Sequence, residues 1–468
     1  MDFILAGTGF ASAFFLKGLL ARLPETARVL VLERGPDYPL ETQLANRRVH
    51  PVEPDTLIDG SRSVKRWPFT VALGGSSNCW WACTPRMLPE DFELASRYGV
   101  GRDWPVTYEM LEPFYAEAEA IMEISGDGNT DLWPRSTPFP QPPHRLTAPD
   151  RILAKAHPGR YFVQPAARAR IATETRPACC ATGICELCPI GAKFSIARDM
   201  APVFQDPRVE LRVGAEVLQV LREGGRVTGV TYRMGEEVRE ARADAVALGC
   251  NAIFNAAILL RSGFEHPLLG KRLHEQVGIF ADIDLAGIEN FDGSSSISGH
   301  GYMLYGGAHR REAAACLIES WNVPQLRPEP GRWRERMRMK FIFEALPHED
   351  DSVSLPADPF GPPVVRYEEH GSYVAAGRAR AERLLPSLLA ALPVENIRWH
   401  DDWLDHEAHN LGTVVMGEDP ATSCVDPGLR WHGADNLWVL GGSAYPTGAP
   451  ANPTLTLSAL SLRAASMV

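Results

Sequence analysis

Asp2-Phe3-Ile4-Leu5-Ala6-Gly7-Thr8-Gly9-Phe10-Ala11-Ser12 stands at the start of the chain. Asp2 to Ala6 reads as a buried strand, and Ser12 to Leu23 carries apolar residues at helical spacing. Gly7 and Gly9 permit a tight turn and the close approach of a pyrophosphate to the helix N-terminus, whose free N–H groups and dipole favour an anion. Ser12 holds the place of a third glycine and is small enough to let helix and strand pack closely. Val29-Leu30-Val31-Leu32 is the next strand, and Glu33 ends it twenty-one residues after Ser12. A carboxylate there can accept both hydroxyls of an adenosine ribose. The pattern predicts a Rossmann-like α/β unit that holds a dinucleotide; position alone does not choose FAD or NAD. The plainer alternative is a βαβ unit with a glycine turn.

Two further glycine-rich blocks follow. Leu73-Gly74-Gly75-Ser76-Ser77-Asn78-Cys79-Trp80-Trp81 is a small-residue turn running into aromatics, and alone it reads as a loop. His409-Asn410-Leu411-Gly412-Thr413-Val414-Val415-Met416-Gly417 sets a histidine before a tight turn. The strand Leu437-Trp438-Val439-Leu440 leads into Gly441-Gly442-Ser443-Ala444-Tyr445-Pro446, and Ala451-Asn452-Pro453-Thr454-Leu455-Thr456 opens a final helix running to Met467.

In this order the blocks resemble the glucose–methanol–choline family of FAD oxidoreductases. The resemblance implies an α/β fold with a Rossmann-like FAD-binding domain and an α+β substrate domain on a mostly antiparallel sheet. The FAD domain is expected in three parts, 1–90, 201–275 and 405–468. An excursion at 91–175 and residues 276–404 build the substrate domain, with a cysteine segment at 176–200. By the same resemblance Gly7, Gly9, Ser12 and Glu33 hold the ADP part of FAD, and Val217 contacts its adenine. Gly74, Gly75, Ser76, Asn78 and Cys79 lie along the pyrophosphate and flavin, and Gly442, Ser443, Pro453 and Thr454 close the site. His409 matches the catalytic histidine and Asn452 its partner. The chain departs from the pattern at Gly441, where Asp is frequent, and at Val414 and Val415, where Arg is common. Cys79 takes the place of a histidine that some members join covalently to the flavin; a thioether and a plain buried thiol are the two readings.

The chemistry agrees. Oxidising an alcohol requires removal of the hydroxyl proton and transfer of a hydride to flavin N5. A neutral imidazole suits the first task, and an amide beside it orients the substrate oxygen. His409 and Asn452 are forty-three residues apart, so only the fold brings them together. His406 competes for the role but lacks the Gly-Thr spacing.

Four of the nine cysteines fall in one short run, Cys179-Cys180-Ala181-Thr182-Gly183-Ile184-Cys185-Glu186-Leu187-Cys188-Pro189. Thiolates at this density point to an iron–sulfur cluster. A structural zinc site, which usually takes two separated Cys-x-x-Cys knuckles, and disulfides or spare thiols are the alternatives. The ending Cys188-Pro189-Ile190-Gly191-Ala192 resembles that of a bacterial branch of the family, the FAD-dependent sugar dehydrogenases, which carries a 3Fe-4S cluster. Three ligands suffice for such a cluster, and Cys179 is the expected bystander. That resemblance implies an alcohol or sugar substrate, a small partner subunit and cytochrome c as electron acceptor. A flavin oxidase with a structural metal at the cysteines is the second reading, and a non-catalytic flavin electron-transfer subunit the third.

The 468 residues are too many for one small domain. A net charge of −11 argues against nucleic acid as a partner. No run reaches the length of a membrane-spanning helix, and Phe3 to Leu20 lacks the basic start of a signal peptide. A cytoplasmic protein is expected, or a periplasmic one exported with a signal-bearing partner. Residues 40 to 70 show little periodicity, the prolines of 129 to 150 exclude regular structure there, and a helix is expected from Tyr373 to Leu392.

Overall fold

The computed structural model describes residues 1–323 and 325–468. The opening strand, Phe3–Ala6, lies in the middle of a five-stranded sheet whose order is Leu437–Val439, Ala245–Leu248, Phe3–Ala6, Val29–Glu33, Val209–Val213. Every pairing is parallel, with Phe3 opposite both Val29 and Ala245. Central parallel strands are covered on both faces, which is why they read as unbroken apolar runs. Phe3, Ile4, Leu5 and Ala6 are all buried. The sheet draws on the beginning, middle and end of the chain.

The first helix is Phe10–Leu20, earlier at both ends than its periodicity suggests. The glycine turn is completed at Gly9, and Pro24 disfavours helical geometry at Leu23. The last helix, Thr454–Ala465, crosses it closely: a Cβ on Gly18 would stand 2.8 Å from Cβ of Ala465. It also packs on the helix Tyr108–Met122, where the Tyr115 and Thr456 hydroxyls are 2.7 Å apart.

A second sheet is antiparallel throughout, in the order Val394–Trp399, Val277–Leu285, Arg336–Phe343, Cys316–Trp321, Ile297–Gly301, Tyr161–Val163. Its own core gathers Ile279, Ile283, Phe341 and Phe343 under Val374, Ala381 and Leu385 of a helix that runs Gly371–Leu388. Val217 belongs to a three-stranded antiparallel sheet beside the parallel one.

Two expectations are corrected. Residues 40 to 70 are not featureless: they hold the helix Leu40–Asn46 and the strand Asp59–Ser63, which pairs with Val364–Tyr367. That partner is some 300 residues away, so nothing local announces the strand. Within 129 to 150 the chain stays irregular until Ala148, where Thr147 and Asp150 form a reciprocal cap and Pro149 takes the first turn. Among the described residues no helix is long and apolar enough to cross a membrane.

Candidate active site

A cavity of about 710 Å³ is lined from both large sheets, within the range of small-molecule and cofactor sites. At one end lies the glycine turn. Gly7 has φ +87°, and a Cβ there would meet the Gly249 carbonyl oxygen at 2.8 Å. A Cβ on Gly9 would find open space, and the helix beginning at Phe10 has neither a side-chain cap nor an acidic residue in its first turn. Its N–H groups are therefore free for an anion. Glu33 lines the cavity and is buried; its Oε2 accepts from Thr8 N at 3.0 Å and Thr8 Oγ1 at 2.6 Å, and its Oε1 from Gly35 N at 2.7 Å. Burial raises its pKa, and these hydrogen bonds oppose the rise. The carboxylate thus ties the turn together as well as facing the site.

Gly75, Ser76, Cys79, Val217, Gly442, Pro453 and Thr454 also line the cavity. Ser12, Gly74, Asn78 and Ser443 stand behind that wall. Ser12 is fully buried, its Oγ facing the carbonyls of Ala6 and Gly249 at 3.3 and 3.4 Å. Gly74 N donates to Thr8 Oγ1 at 2.9 Å, joining the two glycine turns. Asn78 Nδ2 donates to the carbonyls of Leu73 and Gly75, and its Oδ1 accepts from Gln43. Ser443 Oγ donates to Leu440 O and accepts from Asn255 Nδ2. An open glycine cradle, an uncapped helix start and a carboxylate at the next strand end fit a pyrophosphate dinucleotide.

At the other end His409 and Asn452 both face the cavity. Gln276 Nε2 donates to the carbonyls of Ala449 (2.7 Å) and Ala451 (3.0 Å), so its oxygen is the atom 3.0 Å from His409 Nδ1. An amide oxygen only accepts; Nδ1 carries the proton and Nε2 keeps its lone pair. Glu275 fixes the backbone, accepting from Glu407 N at 3.1 Å and His409 N at 2.9 Å, and it pairs with the buried Lys65. Burial lowers the His409 pKa to about 4, with Glu275 acting in the other direction. The ring is neutral at pH 7. Asn452 Oδ1 is buried without a hydrogen-bond partner among the described residues. His406 lines the same cavity, 3.8 Å from Asp405, without the anchoring that holds His409. Glu275 and Gln276 escape a reading of the sequence; the one signal is a polar His274-Glu275-Gln276 run leading directly into an apolar strand.

Residues 347–461, which include His409 and Asn452, match the family model described as GMC oxidoreductase. Residues 347–461 therefore carry a GMC oxidoreductase C-terminal region. The chain is 26% identical over 454 residues to the fructose dehydrogenase large subunit of Gluconobacter japonicus, covering 87% of this chain and 82% of that one. It is 28% identical over 520 residues to paromamine 6'-oxidase of Streptomyces fradiae, covering 100% and 91%. The solved pyridoxine 4-oxidase from Mesorbium loti shares the fold, with a TM-score of 0.69 at 16% identity over 100% of this chain and 98% of that one. The C-terminal match and relatives named as sugar and aminoglycoside oxidoreductases make the chain an FAD-dependent oxidoreductase acting on CH–OH groups.

The cysteine segment departs from expectation. Cys179 Sγ donates to Ser294 O at 3.1 Å, and Cys180 is exposed. Cys185 is buried against the guanidinium of Arg168, which donates to its Sγ at 2.7 Å. Burial acts to raise the Cys185 pKa, but Arg168 and Ser296 together outweigh it and hold the thiol below its ordinary value. Among the described residues no three His, Cys, Asp or Glu side chains stand where they could hold a metal. Cys179, Cys180, Cys185 and Cys188 as folded do not fit a shared iron–sulfur cluster. The reason is local: Ala181 and Gly183 take left-handed backbone angles, and Arg168 enters from another segment. The segment is nonetheless pinned to the glycine turn, because Lys193 Nζ donates to the carbonyls of Asn78 and Trp80 (2.9 Å each) and Glu186 (2.5 Å). Burial pushes the Cys79 thiol pKa up.

Proposed function

We propose that this GMC oxidoreductase is a dehydrogenase that oxidises an alcohol group of a sugar, glycoside or polyol. The observation that carries the reading is the His409–Gln276 hydrogen bond, which leaves one nitrogen of a neutral imidazole unprotonated in the wall of the cavity. FAD, when bound, supplies the hydride acceptor. Gly7, Gly9 and the start of the first helix would hold its pyrophosphate, Glu33 its ribose, and Val217 its adenine. His409 Nε2 then takes the hydroxyl proton as the carbinol loses its hydride. The Asn452 side chain orients the oxygen, and the buried Glu275–Lys65 pair holds the histidine's backbone in place. The sugar-class substrate is supported by relatives named for fructose and paromamine.

The division into FAD-binding parts 1–90, 201–275 and 405–468 around a substrate domain belongs to this proposal; the three-part origin of the parallel sheet supports it. So does an external electron acceptor with a partner subunit, supported by a relative named as a large subunit. A one-electron exit near Cys179–Cys188 is supported by cysteine density and by Glu186 at the cavity, and opposed by the placement of the thiols. The second reading, an oxidase using oxygen, draws on that same placement and on the relative named as an oxidase.

An anaerobic titration of the FAD-loaded protein with a panel of hexoses and hexitols tests the reading, combined with iron and sulfide analysis. Bleaching of the flavin supports alcohol oxidation, and a flavin that stays yellow with every alcohol rejects it. Rapid reoxidation by oxygen, with no iron present, replaces the dehydrogenase by the oxidase.

A further inference from the structure

The antiparallel sheet turns a row of charged side chains toward the cavity that the proposed mechanism does not use. Phe280, Lys340, Glu319 and His300 are directly opposite one another on four neighbouring strands, so they share one face. Lys340, Glu319 and Phe280 line the cavity beside His409, as do Glu407 and Trp321. Lys340 Nζ meets Glu407 Oε2 at 2.5 Å but stands 3.9 Å from Glu319 Oε2. That gap is too long for a hydrogen bond. Glu319 Oε1 has no hydrogen-bond partner among the described residues, His300 Nε2 standing 3.6 Å away, and the Glu319 side chain is 1% exposed. A buried carboxylate left this short of donors is costly. Trp321 stands two residues along the same strand, with the rings of Trp81 and Phe280 at 5.0 and 5.1 Å, making an apolar wall beside the charges.

We infer that Glu319 and Lys340 form a hydroxyl-reading subsite that selects neutral polyhydroxy substrates, taking a second hydroxyl close to the carbinol being oxidised. A hydroxyl fits the gap because it both donates and accepts: it donates to Glu319 Oε2 and accepts from Lys340 Nζ. The aromatic wall takes the C–H face of the same ring. The inference rests on reading this cavity as the alcohol site. Two carboxylates share one ammonium, which leaves no surplus positive charge to welcome a sugar acid. The titration behaviour agrees: burial pushes Glu407 up to about 7, whereas Lys340 and His300 overcome burial and hold Glu319 below the ordinary carboxylate range.

The test measures equilibrium binding, so that it does not depend on turnover. FAD-loaded His409→Ala protein is titrated with hexitols and hexoses, their single-deoxy analogues and the matching sugar acids, and binding is read from the perturbed flavin spectrum. Hydrogen bonds to charged groups predict that at least one parent polyol binds about tenfold to a hundredfold more tightly than one of its deoxy analogues. That ratio should fall toward one in Glu319→Gln and in Lys340→Met, with flavin content confirming that each variant is folded. Equal binding of parent and deoxy compounds throughout the panel, a ratio that survives both substitutions, or tighter binding of the sugar acids would overturn the inference. A ratio that collapses as expected, in a parent enzyme whose flavin no polyol bleaches, upholds the subsite and rejects the oxidation reading instead.

Discussion

Gln276 gives both its amide hydrogens to the carbonyls of Ala449 and Ala451 and turns its oxygen to His409 Nδ1, so one side chain decides which imidazole nitrogen is basic. Replacing it with leucine removes the acceptor and lets the ring take either tautomer. Gln276→Leu is expected to slow flavin reduction by about ten- to a hundredfold while FAD stays bound. Nitrogen-15 spectra of His409 should show a protonated Nδ1 in the parent and a mixture in the variant; a parent protonated at Nε2 contradicts the assignment. Glu407 offers a stability test. Its pKa is raised from the ordinary carboxylate value to about 7 by burial, so between roughly pH 4.5 and 7 the native chain holds a proton that the unfolded chain has released. Unfolding free energy therefore falls as pH rises through that window. Glu407→Gln has no such proton to lose and should gain stability relative to the parent between pH 5 and 7.5 in denaturant melts; a constant difference contradicts the shifted pKa.

Among the elements, the crossing of the first strand and helix against Gly249 carries a tight constraint. A Cβ on Gly249 would lie 2.0 Å from Ser12 Oγ. Gly249→Ala should destabilise by about 1–3 kcal/mol and lower FAD occupancy, and adding Ser12→Ala should restore much of both, as melting temperature and flavin absorbance will show. Failure of the second substitution to help would mean that the crossing is not limited by that contact. This strand, turn and helix were legible in the sequence because their signals are local: an apolar run, two glycines and an apolar helical face. The parallel strand Leu437–Val439 was legible for the same reason. Glu319 opposite Lys340, and Gln276 beside His409, were not, because each pairing depends on sheet register or a loop crossing that leaves no local mark. Cysteine density does not by itself place a cluster, for a related reason. Spacing counts thiols, but backbone angles at Ala181 and Gly183 and the guanidinium of Arg168 decide where they point.

The whole molecule closes one cavity with residues from its beginning, middle and end, from Gly7 to Thr454. A ligand seated there holds together parts of the chain far apart in sequence. Under mass action, FAD at a hundredfold excess over its dissociation constant adds about 2.7 kcal/mol. The melting temperature should therefore climb with FAD concentration, and one that does not respond to FAD would mean that the cavity is not the dinucleotide site. The same cavity holds the uncharged imidazole and, on the proposed reading, would hold the hydride acceptor beside it, which is the central claim. Anaerobic stopped-flow reduction of FAD-loaded protein by a polyol, parent against His409→Ala, tests it most directly. The account predicts rapid bleaching in the parent and a loss of about a hundredfold or more in the variant, with the flavin still bound. Equal rates in the two proteins would contradict it.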